Sequence, residues 1–156
     1  MPSTPTDASF AELVRSSHRR LTGRDLSASI RDVPADEAAE WLYTSAPFGL
    51  LAHDTGMDPR FVYANRTAQK CFGYEWDEFV GMPSRLSAVP DDQEDRNAFV
   101  RSVTEQGYAE RYRGRRRAKS GRRFWIENVT MWDLLDSAGV LHGQAAIVPM
   151  WTETDA

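Results

Sequence analysis

A strand that leads directly into a capped helix is the feature that most constrains the fold of this chain. The segment Tyr63-Ala64-Asn65-Arg66-Thr67-Ala68 is followed by Phe72-Gly73-Tyr74 and then by Gly81. The Asn65 carboxamide can accept a hydrogen bond from the free N–H groups that begin a helix. Three residues share one face of that helix because they lie three and four positions apart: Ala68, Cys71 and Phe72. The segment therefore predicts the end of a buried strand, one short helix and a glycine-marked turn.

The composition is typical of a soluble globular protein. The chain has 156 residues, of which 41% are hydrophobic and 27% charged, and its net charge is −4. This length predicts one domain, which we place at residues 36–156, after an N-terminal extension over residues 1–35. No apolar run approaches the ~20 residues that a membrane-spanning helix needs, so we expect no membrane association. The single cysteine, Cys71, excludes an internal disulfide and predicts a cytoplasmic protein.

Two helices and two strands are predicted before Asn65. Apolar residues between positions 10 and 21 form one stripe of an amphipathic helix, which Gly23 is expected to end. Asp36 is expected to cap a second helix that extends to residue 46. Two apolar segments then predict neighbouring strands, at residues 48–52 and 60–64.

The second half of the chain predicts a helix followed by an antiparallel meander. Pro90 and the acidic cluster in residues 91–95 are expected to begin the helix, because negative side chains are favoured near its positive end. Gly107 is expected to end it. Three strand-like stretches follow, separated by polar loops at residues 119–121 and 136–139. The order of the elements predicts an α+β fold.

These segments resemble the PAS superfamily of sensor domains, and more closely the PAS-related MEKHLA domain. The PAS resemblance is carried by residues 63–81 and 120–127. The MEKHLA resemblance rests on Pro83-Ser84-Arg85-Leu86-Ser87-Ala88, Ser120-Gly121-Arg122-Arg123-Phe124-Trp125-Ile126 and His142-Gly143-Gln144-Ala145-Ala146. The resemblance implies a five-stranded antiparallel sheet, with short helices on one face that enclose a pocket and with an N-terminal helical extension. It also implies that the first and last strands are neighbours.

The fourth strand is expected to line this pocket. The resemblance directs Ile126 toward it, and strand alternation carries residues of the same parity to the same face. Asn128 is the polar member that can orient a ligand, unless its amide is bonded only to backbone. The opposite face then carries Trp125, Val129 and Met131, which need cover from the N-terminal helix or a second subunit. The predicted ligand-binding residues are Phe124, Ile126, Asn128, Thr130, Leu50 and Phe72.

PAS relatives that bind flavin and respond to light use a cysteine that attacks the flavin ring. The resemblance places Ser84 at that position, and a hydroxyl is not an equivalent nucleophile. The amides that hold flavin are replaced by Ile126 and Ala145, whereas Arg85 matches. Cys71 is expected to be a buried structural residue. The cofactor is therefore unknown, and flavin–thiol photochemistry is disfavoured.

Two histidines are candidates for a metal site. If the first and last strands pair with Phe48 opposite Ile147, His53 comes close to His142, and Asp54 is adjacent. Imidazole and carboxylate groups bind several divalent ions. Because no third ligand stands at a diagnostic spacing, the alternative is that both histidines are polar caps at hairpin ends, and no metal site is assigned.

A basic segment begins the meander. Residues 111–123 contain eight Lys or Arg residues and no acidic residue. Strand alternation places Arg111, Arg113, Arg115 and Arg117 on one face. Such a stripe is typical of a solvated strand surface, and it can also bind a phosphate-bearing ligand, an acidic partner or nucleic acid. The negative net charge disfavours nucleic acid.

The resemblance implies a stand-alone sensory or regulatory domain without catalysis that binds a small molecule or a protein partner, with a homodimer as one arrangement. The alternative is a small enzyme that uses the same pocket. Its acid or base would come from Glu127, Asp133, His53 or His142, although no nucleophile–base pair is visible in the spacing. A third interpretation is a structural interaction module whose core is filled by its own side chains.

Overall fold

The elements follow the predicted order, with one additional strand near the C-terminal end. The computed structural model describes residues 1–89 and 93–153. Its α-helices are α1 (Ala8–Thr22), α2 (Ala35–Thr44), α3 (Arg66–Phe72), α4 (Trp76–Phe79) and α5 (Gln93–Gln106), and short 3-10 helices lie at Ala28–Ile30 and Ser84–Ser87. Its strands are β1 (Gly49–His53), β2 (Phe61–Ala64), β3 (Tyr108–Arg117), β4 (Arg123–Leu135), β5 (Leu141–Val148) and β6 (Met150–Glu153).

The strands form one antiparallel sheet in the order β2-β1-β5-β4-β3. The α+β class and the neighbouring first and fifth strands are thereby confirmed. The sixth strand, β6, lies on the same edge of β4 as β5 does. Glu127 of β4 pairs with Met150 and Thr130 pairs with Ile147, so β5 and β6 share one register on either side of Pro149. Proline lacks the N–H that a continuous ladder requires, which accounts for the interruption.

Helices cover both faces of this sheet. We call the side that packs against α1 and α2 the outer face, and the side that packs against α3, α4 and α5 the inner face. On the outer face, the Ser17 hydroxyl of α1 bonds to both the carbonyl oxygen and the N–H of Leu135, each at 2.9 Å. Helix α1 belongs to the segment predicted as an extension, and it packs directly on β4.

Asn65 caps α3 as predicted, and it also joins three elements. Its Oδ1 accepts from the N–H groups of Ala68 and Leu50, both at 3.0 Å. Its Nδ2 donates to the carbonyl oxygens of Leu42 and Phe48 at 2.9 and 3.0 Å. The side chain is fully buried. One residue thus satisfies backbone groups from α2, β1 and α3.

Helix ends agree with the sequence at glycines and differ elsewhere. Gly23 ends α1 in the left-handed conformation, with φ 74°, as predicted. Gly107 follows α5 with φ 90°. Helix α2 begins one residue before Asp36, after Pro34, and has no side-chain cap. The predicted start of α5 at Pro90 and the first two residues of its acidic cluster lie outside the described residues.

A β-bulge in β4 reverses the predicted alternation. Ile126 and Val129 of β4 pair with Gly114 and Tyr112 of β3. Two residues separate the first pair along β4, whereas one residue separates the second pair along β3. The extra residue of β4 lies at Asn128, which has φ 56°. An extra residue moves every later side chain to the other face. Val129 and Met131 therefore pack on the inner face, not the outer one.

The same bulge corrects three further placements. Asn128 is exposed, and Thr130 lies on the outer side of the sheet. The residues of β4 that α1 covers are Trp132 and Leu134, not Trp125. The predicted cover of the outer face by the N-terminal helix is thus present, over a different part of the strand.

Candidate ligand-binding cavity

A cavity lies between the inner face of the sheet and α5. We call it the inner cavity. About 50 Å³ of it is open to the centre of a water-sized sphere. Since one water needs about 10–15 Å³ by this measure, the space holds a few waters or a small ligand. Its floor is apolar and is formed mainly by Leu51, Phe61, Ile126, Val129, Met131 and Val148.

Buried polar side chains form the rest of the wall. They come from β1, β3, β5, α5 and the 3-10 helix Ser84–Ser87, and they are His53, Arg116, Gln144, Arg96, Ser84 and Ser87. Each of the six exposes less than a tenth of its surface. Polar groups at this depth are unusual unless they bond to the protein, to water or to a ligand.

Two of these residues are arginines. Arg96 exposes 9% of its surface and Arg116 exposes 8%. Arg96 Nη2 donates to Ser84 Oγ at 2.5 Å, and Arg116 Nη1 donates to the Arg115 carbonyl oxygen at 2.8 Å. Burial, together with the positive charge of Arg116, lowers the pKa of Arg96 to about 10. Because a guanidinium group is positively charged in proteins at neutral pH, the two arginines make the cavity electropositive.

His53 contributes an acceptor. Its Nδ1 lies 2.9 Å from the Asp54 carbonyl oxygen, so Nδ1 carries the proton and Nε2 is the acceptor in the neutral ring. Burial is the main cause of a lowered pKa for His53, so the ring is neutral at pH 7. Among the described residues, the buried Nε2 atom has no hydrogen-bond partner.

Gly143 allows the backbone of β5 to lie close to the backbone of His53. Gly143 has φ 149°, and a Cβ added there would lie 2.1 Å from the His53 carbonyl oxygen. Only glycine permits this approach without strain. A side chain at position 143 would therefore disturb the pairing of His53 with Gln144.

Gln144 and an aromatic pair complete the wall. Gln144 Nε2 donates to Asp133 Oδ1 at 3.0 Å and to Thr104 Oγ1 at 3.3 Å. Burial raises the pKa of Asp133. Phe99 of α5 stacks on Tyr112 of β3 with the ring centroids 4.1 Å apart. This stacked pair joins α5 to the sheet where the two elements close the cavity.

A family model described as the MEKHLA domain matches residues 8–153, which is nearly the whole chain. The chain belongs to the MEKHLA domain family. The resemblance noted in the sequence is thereby confirmed, and membership supports a sensory role. A search of curated proteins found no match.

Solved structures similar to this MEKHLA domain are PAS and light-oxygen-voltage domains. A PAS domain from Colwellia psychrerythraea aligns at a TM-score of 0.64 and 20% identity, over 76% of this chain and 94% of that one. A light-oxygen-voltage domain studied with a flavin analogue aligns at 0.60 and 19%, over 82% and 89%. The fungal blue-light photoreceptor Vivid, in its light-state dimer, aligns at 0.54 and 19%, over 66% and 77%. At these identities the likeness shows the fold.

The structure brings two of the predicted ligand-binding residues to the inner cavity. Ile126 and Phe72 line it. Phe124 is buried on the inner face beside Phe72, with the ring centroids 5.1 Å apart, and it does not line the cavity. Leu50 packs on the outer face, and its neighbour Leu51 lines the cavity instead. The bulge keeps Asn128 and Thr130 away from the wall.

The sequence interpretation missed most of the polar wall. Gln144 lies next to Ala145, the residue aligned with a flavin-holding amide, and Gln144 is the one that lines the cavity. Arg116 was counted within the basic segment, where alternation predicted only its odd-numbered neighbours as a stripe. Arg96 was not singled out within the segment predicted as α5. The correct register of β5 would have identified Gln144 as a residue of the cavity wall. No feature of the neighbouring sequence indicates that Arg96 and Arg116 are buried there.

The serine at the reactive-cysteine position faces the MEKHLA inner cavity. Ser84 is buried and bonded to Arg96, whereas Cys71 does not line the cavity. Arg85, which matched the flavin pattern, forms an exposed salt bridge with Asp58 at 3.1 Å. Nothing in this arrangement supplies a thiol to a ring bound in the cavity, so flavin–thiol photochemistry stays disfavoured.

The thiol of Cys71 is expected to be unreactive in the folded protein. Burial raises its pKa from an ordinary 9.0 to about 12, which lowers the thiolate fraction near pH 8 by roughly a thousandfold. Labelling with Ellman's reagent is therefore expected to be at least about a hundredfold slower in the native protein than in urea. Similar rates in the two states would show that Cys71 is accessible.

The predicted register between the first and last strands was wrong by two residues. Leu50 pairs with Ile147, so His53 faces Gln144 and not His142. His142 Nε2 instead lies 2.8 Å from Asp136 Oδ2 at the hairpin end. Residues 1–89 and 93–153 contain no group of three or more His, Cys, Asp or Glu side chains arranged to hold a metal ion.

The basic segment keeps its predicted alternation from Arg113 onward, where Arg113 and Arg115 both lie over the Trp125 ring. The bulge between Ala109 and Tyr112 separates Arg111 from this stripe. Arg113 donates to Glu127 Oε1 at 3.0 Å and lies 3.7 Å from the centroid of the Trp125 ring. Arg116 turns inward to the inner cavity, and Arg111 is exposed with φ 61°.

In the part of the chain that the structure describes, no helix has the length and apolar character to cross a membrane.

Proposed function

We propose that this MEKHLA domain is a sensory module that binds a small molecule in the inner cavity and transmits occupancy to a protein partner without catalysis. The observation that carries the proposal is a cavity with an apolar floor and six buried polar side chains on its wall. Binding sites for small molecules combine apolar surface with a few placed polar groups in this way.

The catalytic alternative has less support. Glu127 pairs with Arg113 on the side of β4 opposite Ile126, and His142 pairs with Asp136 at a hairpin end. Asp133 is bonded to Gln144. Of the four acids and bases considered for catalysis, His53 lines the cavity and Glu127, Asp133 and His142 are not among its lining residues, so the four do not converge on one point.

Helix α5 is the element through which occupancy can be transmitted. It supplies Arg96, Phe99 and Val100 to the wall, and it packs mainly on β3. A ligand in the cavity lies beside the stacked pair of Phe99 and Tyr112, which joins α5 to β3. A change in this pair on binding moves α5 relative to the sheet, which changes the surface that a partner or a second copy meets. The light-state dimer of Vivid makes a second copy one reasonable partner.

Native mass spectrometry of the purified protein, with its visible absorption spectrum, tests ligand binding. We expect a small molecule to co-purify with the wild type and with Asn97→Phe, whose position on α5 is exposed. We expect it to be absent from Val100→Phe, because the larger side chain fills the cavity. A wild type without ligand, or equal retention by Val100→Phe, would contradict the proposal and favour partner binding alone.

A further inference from the structure

We propose that the inner cavity selects a short-chain carboxylate that carries a hydroxyl group. The inference rests on the proposed function and identifies the chemical class of its ligand. Three properties of the cavity lead to it: the convergence of two buried guanidinium groups, the small apolar space beside them, and an acceptor atom on His53.

The positive charge of the cavity favours the binding of an anion. Arg96 and Arg116 line the same small space, and the charge of Arg116 contributes to the lowered pKa of Arg96, so the two groups are close. Both guanidinium groups are more than nine-tenths buried, so the repulsion between them raises the free energy of the folded protein. An anion bound between them offsets this repulsion. Among the described residues, neither arginine forms a salt bridge, and their hydrogen-bond partners are neutral.

The arginines are held in place and retain donors. Arg96 is oriented by Ser84, whose carbonyl oxygen in turn accepts from the Ser87 hydroxyl at 2.7 Å. Arg116 is oriented by the Arg115 carbonyl oxygen and by the Tyr112 hydroxyl, the latter at 3.3 Å. A guanidinium has five N–H donors in a planar fork that fits a carboxylate. The described bonds use Nη2 of Arg96 and Nη1 of Arg116.

Size and lining favour a carboxylate with a short carbon chain. The 50 Å³ space accommodates about three to five waters, and because covalently bonded atoms pack more closely than waters do, a molecule of about six non-hydrogen atoms fits. The floor beside the arginines is apolar, with Leu51, Ile126 and Val129 among its residues. A phosphate ion offers no apolar part to this floor. A carboxylate with two or three carbons places its charge at the arginines and its chain on the floor.

His53 indicates that the ligand carries a donor. Its Nε2 is a buried acceptor without a partner among the described residues. His53 lines the same small space as Arg96 and Arg116, and the charge of Arg96 adds to the effect of burial in lowering the pKa of His53. A hydroxyl group close to the carboxylate donates to Nε2 and removes the cost of the unsatisfied atom.

Chemical-shift titrations of the isotope-labelled full chain test this assignment, with four probes at constant ionic strength: lactate, propionate, propionamide and inorganic phosphate. We expect lactate to bind about fivefold to tenfold more tightly than propionate, because of one added hydrogen bond. Shifts should centre on His53 and Val100. Propionamide and phosphate should each bind at least tenfold more weakly than lactate, because propionamide lacks the negative charge and phosphate lacks the apolar chain.

Variants separate the contributions of the side chains. Arg96→Met and Arg116→Met should each weaken lactate binding at least tenfold, whereas Arg101→Met, at an exposed position of α5, should not change it. His53→Phe should bring lactate and propionate to equal affinity. Should an arginine variant fail to fold by circular dichroism, Arg96→Lys, which keeps the charge, is expected to bind with intermediate affinity.

Two results would overturn the inference. One is that neither carboxylate binds the wild type more tightly than propionamide. The other is that Arg96→Met loses stability but responds to lactate as the wild type does, in which case the chain itself balances the charge. Either result leaves the proposed function intact if Val100→Phe still expels a co-purified molecule, so the two failures are distinguishable.

Discussion

Replacing Asn65 by alanine is expected to lower the free energy of unfolding by about 4 kcal/mol. The substitution leaves two N–H groups and two carbonyl oxygens without their partner, at Ala68, Leu50, Leu42 and Phe48. These groups lie at the junction of α2, β1 and α3, where Asn65 is fully buried. An unsatisfied buried group costs about 1–3 kcal/mol, and partial access of water reduces the sum. Urea denaturation followed by tryptophan fluorescence measures the change.

Asp7→Ala is the matched control for the loss of a helix cap. Asp7 caps α1 by accepting from the Phe10 N–H at 3.0 Å, near the surface and without bonds to other elements of the fold. Its loss is expected to cost about 1 kcal/mol, the usual contribution of a cap. If Asn65→Ala costs no more than Asp7→Ala, the bonds from Asn65 to α2 and β1 contribute no net stability.

Replacing Trp132 by alanine is expected to cost about 4 kcal/mol, because it opens a large cavity in a packed core. Trp132 is fully buried on the outer face. Its Nε1 donates to the Val14 carbonyl oxygen at 3.3 Å. The His18 ring packs edge-on against the Trp132 ring, with the ring centroids 4.8 Å apart. The substitution removes the contact through which α1 packs on the sheet.

Trp125→Ala is the control for this prediction, on the same strand before the bulge. Trp125 is only partly buried, and its main contact is the guanidinium group of Arg113, so its loss is expected to cost about 1 kcal/mol. Urea unfolding followed by circular dichroism compares the two variants. Equal losses would contradict the assignment of Trp132 to the packed core beneath α1 and of Trp125 to a partly exposed part of the strand that α1 does not cover.

The features that local chemistry specifies were predictable. Gly23 ends α1 and Asn65 caps α3, because a positive φ and a carboxamide acceptor act within a few residues. Polar loops at residues 119–121 and 136–139 separate the strands of the meander as expected. The family and fold followed from the order and spacing of such features.

The strand-level predictions that failed concern which face a side chain lies on and which residues pair across strands. Alternation has a period of two, so one extra residue or a small error in register changes which side chains face the cavity. The bulge at Asn128 exchanged Thr130 for Val129 on the inner face. The register of β1 against β5 placed His53 opposite Gln144 and separated it from His142.

The sequence by itself determined that this chain is a MEKHLA domain with a PAS-like sheet, since capping, turn and periodicity signals act between near neighbours. It also determined that no cysteine stands where a flavin-attacking thiol would be. Only the tertiary structure decided that Arg96 and Arg116, from α5 and β3, meet His53 and Gln144 around one cavity. That meeting depends on the pairing of β1 with β5 and on the packing of α5 against β3, which join segments distant in the sequence and which the packing of the whole domain selects.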